Sequence, residues 1–76
     1  MKLKKIGSNM TELWTDSACV LFSYDTPVAA NNFGEGFVRT STKHSQTTTR
    51  HINKWLNGVT ADERPQAFFY DLVKGE

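Results

Sequence analysis

A single cysteine, Cys19, occurs in this chain, so no disulfide can form within it. A lone unpaired thiol in the apolar run ACVLF fits a small buried hydrophobe in a reducing, cytoplasmic compartment. No apolar run approaches the ~20 residues needed to cross a bilayer. The N-terminus, MKLKKIGSNM, has three lysines but lacks the roughly 7–15-residue apolar core of a signal peptide, so it reads as mature protein. There is no internal repeat, low-complexity tract or linker. Metal-ligand spacings of the CxxC, HxxxH or HExxH type are also missing, and His44 and His51 lie seven residues apart. No metal and no cofactor is expected. Nor is there a phosphate-binding glycine loop or a nucleophile elbow, and so small a chain leaves no volume for a deep, water-excluding pocket. The expectation is a protein that is not an enzyme.

Seventy-six residues make a single domain, 1–76, with one modest core and no visible staple. The formal charge of +1 argues against both a strongly basic nucleic-acid binder and an acidic DNA mimic. Its distribution is blocked. Lys2, Lys4 and Lys5 open the chain, and Glu12, Asp16, Asp25 and Glu35 then make residues 6–36 acidic. Arg39, Lys43, Arg50 and Lys54 follow in an acid-free region, 37–61, and the C-terminal segment is acidic again. Such blocks let neighbouring elements attract, or give the folded domain one basic face.

The first half reads as strands. Lys2 to Ile6 ends at the turn-forming Gly7-Ser8-Asn9, Thr11 to Thr15 pairs with it, and Asp16-Ser17 turns the chain again. Ala18 to Tyr24 is apolar on both faces, as expected of a mid-sheet strand. Pro27 cannot donate to a ladder and belongs at a strand start, edge or bulge. Val28 to Ala30 resumes extended structure, and the glycine- and asparagine-rich stretch from Asn31 to Gly36 makes a loop. Phe37 to Thr42 then alternates as a further strand. Thr48, Ile52, Trp55 and Leu56 set a helical stripe, with Ser45 or Thr47 as its N-cap and Asn57-Gly58 as its stop. A second helix is expected from about Ala61 to Lys74, capped by Asp62, with Pro65 in its first turn and Phe69, Leu72 and Val73 facing inward. Strands followed by helices predict an α+β domain: an antiparallel sheet of three to five strands with both C-terminal helices packed on one face. Trp14, Phe22, Ile52, Trp55, Phe69 and Leu72 are the expected core.

The functional signal concentrates between Arg39 and Leu56. Ser45, Thr47 and Thr48 suit the start of a helix, and His51 falls at the edge of the stripe, where it can hydrogen-bond the sheet. His44 reads as an exposed loop residue. The same start is a ready anion site. Free amides, hydroxyls and the cations Arg39, Lys43, Arg50 and Lys54, with Thr47, would hold phosphate or nucleic acid. Phe33, in the glycine-rich loop, is either a lid on the core edge or an exposed anchor for a partner.

The segments SYDTPVA and FVRTSTKHSQTTTRHINKWL resemble a family of small uncharacterised domains encoded mainly by bacteriophages and related microbial elements. The shared pattern runs over residues 11–58. A strand ends in Ser23-Tyr24, an extended segment holds Pro27, and an aromatic strand carries Phe37. An S-x-T-T-x-[RK]-H helix start follows at Ser45, Thr47, Thr48, Arg50 and His51, and then Trp55. The resemblance implies a small phage-type accessory protein and carries no established activity. It points to a partner in the host-cell cytoplasm, foremost a host protein, which the domain binds and inhibits or redirects. The expected contacts are Phe33, Arg39, Lys43, Arg50 and Lys54. The alternative is a nucleic-acid-binding module that uses the basic region 37–61.

Overall fold

The structure is a computed structural model that describes residues 2–74. Its elements in chain order are β1 (Lys2–Gly7), β2 (Met10–Trp14), β3 (Ala18–Ser23), β4 (Thr26–Asn32), β5 (Gly36–Thr40), α1 (Gln46–Leu56), β6 (Asp62–Arg64) and α2 (Gln66–Lys74). The strands lie in the sheet in sequence order. Tight turns explain this for β1 to β5, because antiparallel neighbours need only a few residues to connect. Thr15 Oγ1 accepts from the amides of Ser17 and Ala18 at 3.2 and 3.0 Å and reverses the chain between β2 and β3. Tyr24, at φ 57°, makes the short turn into β4. Gly34 and Gly36, at φ 93° and 101°, shape the β4–β5 hairpin in a region that side-chain-bearing residues rarely enter.

Pro27 sits at a bulge. Leu21 pairs with Ala29 and Phe22 with Pro27, which leaves Val28 as the extra residue. Pairing with β5 covers only Ala29 to Asn32, so proline's missing donor falls where no neighbouring strand needs one.

The sheet has six strands rather than the expected three to five, and it is mixed, because β6 pairs in parallel with β5 through Val38, Arg39 and Thr40. Helix α1 is therefore the crossover of a parallel β–α–β unit. Residues 62–64 are strand, not the first turn of a helix, and Asp62 is no cap. The cause is Pro65, whose ring disfavours helical backbone at Arg64 and holds it extended; the helix begins only afterwards, at Gln66.

The helices also lie on opposite faces of the sheet. Ile52 and Leu56 of α1 pack on Met10, Leu21, Val28 and Ala29. Phe69 of α2, with Phe68, Leu72 and Val73, packs on Leu13, Val20, Ala30 and Val38. Leu21 and Val20 are consecutive, as are Ala29 and Ala30, so the two sets project to opposite sides. Of the expected core, Ile52 and Phe69 are buried, whereas Phe22, Trp55 and Leu72 are half-buried and Trp14 is exposed. The small and β-branched residues of β3 and β4 fill the centre instead.

Candidate functional site

Ser45 caps α1: its Oγ accepts from the amide of Thr48 at 3.2 Å. Asn57, at φ 51°, ends the helix in left-handed conformation, and Gly58 follows at φ 85°. Behind the cap runs a connected row of polar side chains. Ser45 donates to Thr48 Oγ1 at 3.3 Å, Thr48 lies 3.1 Å from Ser23 Oγ, and Ser23 lies 2.7 Å from His51 Nδ1. The row is satisfied when Ser45 donates to Thr48, Thr48 to Ser23 and Ser23 to His51, which leaves the imidazole proton on Nε2. The ring of Tyr24 stands 5.8 Å from that of His51. Ser23, Tyr24, Ser45, Thr48 and His51, distant in sequence, thus meet as one tie between β3 and α1. A serine 2.7 Å from an imidazole has the spacing of a nucleophile and its base. Ser23, however, is only 1% exposed, and among the described residues no carboxylate hydrogen-bonds His51. The pair fastens a helix to a sheet.

Gln66 forms a second tie that the sequence reading did not identify. Its Nε2 donates to the Pro27 carbonyl at 2.6 Å, in the part of β4 that β5 leaves unpaired. Its Oε1 accepts from Thr40 at 2.8 Å and from His44 Nε2 at 3.0 Å. His44 is accordingly half-buried and anchored, not a free loop residue. These bonds fix the loop between β5 and α1 from below.

The loop so fixed carries the basic residues. Arg39 and Lys43 line a crevice of about 230 Å³ together with residues of the 40–44 segment, Thr48, Thr49 and Ile52, with Glu63 of β6 in its wall. Lys43 also borders an adjoining depression with Gln46, Thr49 and Arg50. Lys54 is exposed one turn beyond Arg50, and Thr47 is exposed on the first turn. Arg39 is half-buried and donates to Asn53 Oδ1 at 3.2 Å, so it is less solvent-facing than its sequence context implies. Among the described residues the one ion pair is Arg64–Asp62, at 4.0 Å. Arg39, Lys43, Arg50 and Lys54 thus form no ion pair among the described residues, although the Glu63 carboxylate stands in the wall of the crevice that Arg39 and Lys43 line. The position is the carboxyl end of a strand in a parallel pair, where α/β sheets commonly seat ligands.

Phe33 does not join them. It lies at the β4–β5 hairpin, beyond the opposite end of β5, with its ring 6.3 Å from that of Trp14. Its amide donates to the Ser17 carbonyl at 2.9 Å.

The family of unknown function DUF8033 matches residues 1–71. The chain belongs to that family. The match extends past the 11–58 segment of the sequence resemblance and takes in β1, β6 and most of α2. No curated protein and no solved structure matches the chain. Among the described residues there is no cluster of three or more metal-ligating side chains, and no helix is long and apolar enough to cross a membrane.

Proposed function

We propose that this protein is a non-enzymatic binding module that engages an acidic surface on a partner protein through α1 and the loop preceding it. The observation that carries the reading is that Arg39, Lys43 and Arg50 border two adjoining depressions, with Lys54 one turn further along α1, and none has an ion-pair partner among the described residues. The exposed cations Lys43, Arg50 and Lys54, beside the half-buried Arg39, are available for a partner's carboxylates, and such charges set association rate and specificity more than raw affinity. The helix cap and the Gln66 tie keep the loop ordered beforehand, which lowers the entropy lost on binding. With a total surface of 4825 Å², the domain has room for one interface of standard size, ~800 Å² per partner.

The phage-type resemblance makes the partner a host-cell protein, which the domain inhibits or redirects in the cytoplasm. Phe33 is not a contact in this reading, because it sits past the far end of β5. Affinity capture from host lysate, with nuclease present, tests the proposal. One specific acidic protein should be retained at moderate salt, and recovery of none counts against it.

A second reading takes the anion to be nucleic acid. It rests on the Thr49 hydroxyl beside Lys43 and Arg50, with Thr47 exposed on the same first turn of the helix, a setting suited to phosphate. Binding of that type weakens steeply with salt, so a flat salt response removes it. The net charge of +1 places it second.

A further inference from the structure

We propose that the cleft between Trp14 and Trp55 is a recognition site for an organic cation: the arginine, lysine or methylated lysine side chain of a partner protein. The cleft lies on the α1 side of the sheet, beside the last turn of the helix, and is remote from the loop at the helix start. Glu12, Trp14, Cys19, Asn31, Phe37 and Trp55 line an open cleft of about 240 Å³, enough for one long side chain.

Its centre is the Glu12 carboxylate. Trp14 Nε1 donates to Glu12 Oε1 at 3.0 Å, and Trp55 Nε1 donates to Oε2 at 2.7 Å. Both indoles are thereby held to one acid by their polar edges. Phe37 stands edge-on to Trp55 at 5.8 Å, which fixes a third ring. Each carboxylate oxygen spends one acceptor position on an indole and keeps another. Glu12 forms no ion pair within the described residues. Lys4 faces it across β1, and Lys2 faces Trp14, yet both lysines are exposed and neither closes on the acid.

The chemistry of the walls selects the occupant. A cation at the free acceptor positions of Glu12 gains the Coulomb term, and the ring quadrupole adds to it where the cation stands over an indole face rather than at the N–H edges bound to the acid. An anion is repelled, and a neutral apolar group gains only burial. Cys19 adds no competing negative charge, since burial and the neighbouring Glu12 push its thiol up to about 12. The Asn31 amide makes no side-chain hydrogen bond among the described residues and offers its oxygen to an N–H group. Trp14 and Phe33, 41% and 44% exposed and in contact with each other, extend the aromatic surface outward, as in protein-recognition sites that accept a side chain from solution.

The site does not rest on the basic-face reading and is tested separately. The chain has two tryptophans, both in the cleft, so their indole N–H resonances report on it directly. Nα-acetyl-arginine amide and Nα-acetyl-trimethyllysine amide are titrated against the neutral citrulline and norleucine analogues. The cations should shift both resonances saturably, with roughly tenfold preference over the neutral analogues. Glu12→Gln should abolish the preference and Trp14→Ala should weaken it, with dispersed amide spectra showing that both variants fold. Should either variant unfold, the comparison on the unaltered protein decides alone. Equal shifts from the neutral analogues, no saturable shift, or a stronger response to a nucleoside monophosphate would each overturn the proposal. The variant Lys43→Glu/Arg50→Glu should leave the indole response unchanged, which separates this site from the basic face.

Discussion

Replacing Ser23 with alanine removes one hydroxyl at a point that is 1% exposed, and with it the bonds to Thr48 at 3.1 Å and His51 at 2.7 Å. Each such bond contributes about 1 kcal/mol net, and Thr48, itself 6% exposed, keeps only its contacts with Ser45. The half-buried imidazole recovers part of its loss from water. The expected cost is about 2 kcal/mol, because two bonds go and little volume does. A domain of 76 residues has roughly 4–11 kcal/mol of stability in all, so this is a substantial share. Urea unfolding should show a lower midpoint at unchanged slope. Thermal unfolding should fall by about 8–16 °C at this chain length. Pairing Ser23→Ala with His51→Ala in a double-mutant cycle isolates their contact, and a coupling of about 1 kcal/mol is expected. A loss below ~0.5 kcal/mol, or strict additivity, would refute the view that the Ser-Thr-His row fastens α1 to the sheet.

Phe69 is fully buried among Leu13, Val20, Ala30 and Val38, so Phe69→Ala should cost about 3–5 kcal/mol by denaturant titration and leave the fold marginal. Gln66→Ala strips partners from Thr40, His44 and the Pro27 carbonyl; a loss of about 2–3 kcal/mol is expected, together with faster amide exchange in the Ser41–Ser45 loop. The Cys19 thiol, raised from 9.0 to about 12 by burial and then by the charge of Glu12, holds its proton more tightly in the folded chain than in the unfolded one. Its contribution to stability is therefore complete below pH 9.0 and declines as pH rises toward about 12. Thiol-labelling reagents at pH 8 should react only as fast as the protein opens, and Cys19→Ala should flatten the alkaline loss of stability.

The local structure was largely legible because side-chain period and turn chemistry act over a few residues. The Asn57-Gly58 stop and the stripe of Thr48, Ile52, Trp55 and Leu56 follow from spacing, and in that stripe all but the half-buried Trp55 are buried; of the two caps that spacing allowed, Ser45 and Thr47, the structure has Ser45. His51 bonds the sheet, as its place at the edge of that stripe implies. Long-range arrangement was less legible. The run Cys19-Val20-Leu21-Phe22 demands cover on both sides, and each side received one helix rather than one side receiving both. Strand β6 was hidden because Asp62, Glu63 and Arg64 have poor strand propensity and no alternation. Only the effect of Pro65 on the residue before it marked the helix boundary.

The candidate sites show the same division. Acid-free spacing singled out Arg39, Lys43, Arg50 and Lys54, which the structure places near the end of β5, in the following loop, in the first half of α1 and in its last turn. Phe33 was added on exposure alone, and the hairpin places it elsewhere. Glu12 and Trp14 share a face of β2 by simple alternation. That Trp55 meets the same carboxylate depends on the crossover packing of α1, which no local pattern encodes.

The central claim, recognition of an acidic partner surface through the unpaired cations beside α1, is tested most directly by quantitative capture from host lysate with Lys43→Glu/Arg50→Glu beside the unaltered protein. Both substituted residues are exposed, so the fold should survive. The account predicts one protein retained by the unaltered chain and lost from the folded variant. Equal retention by both would contradict it.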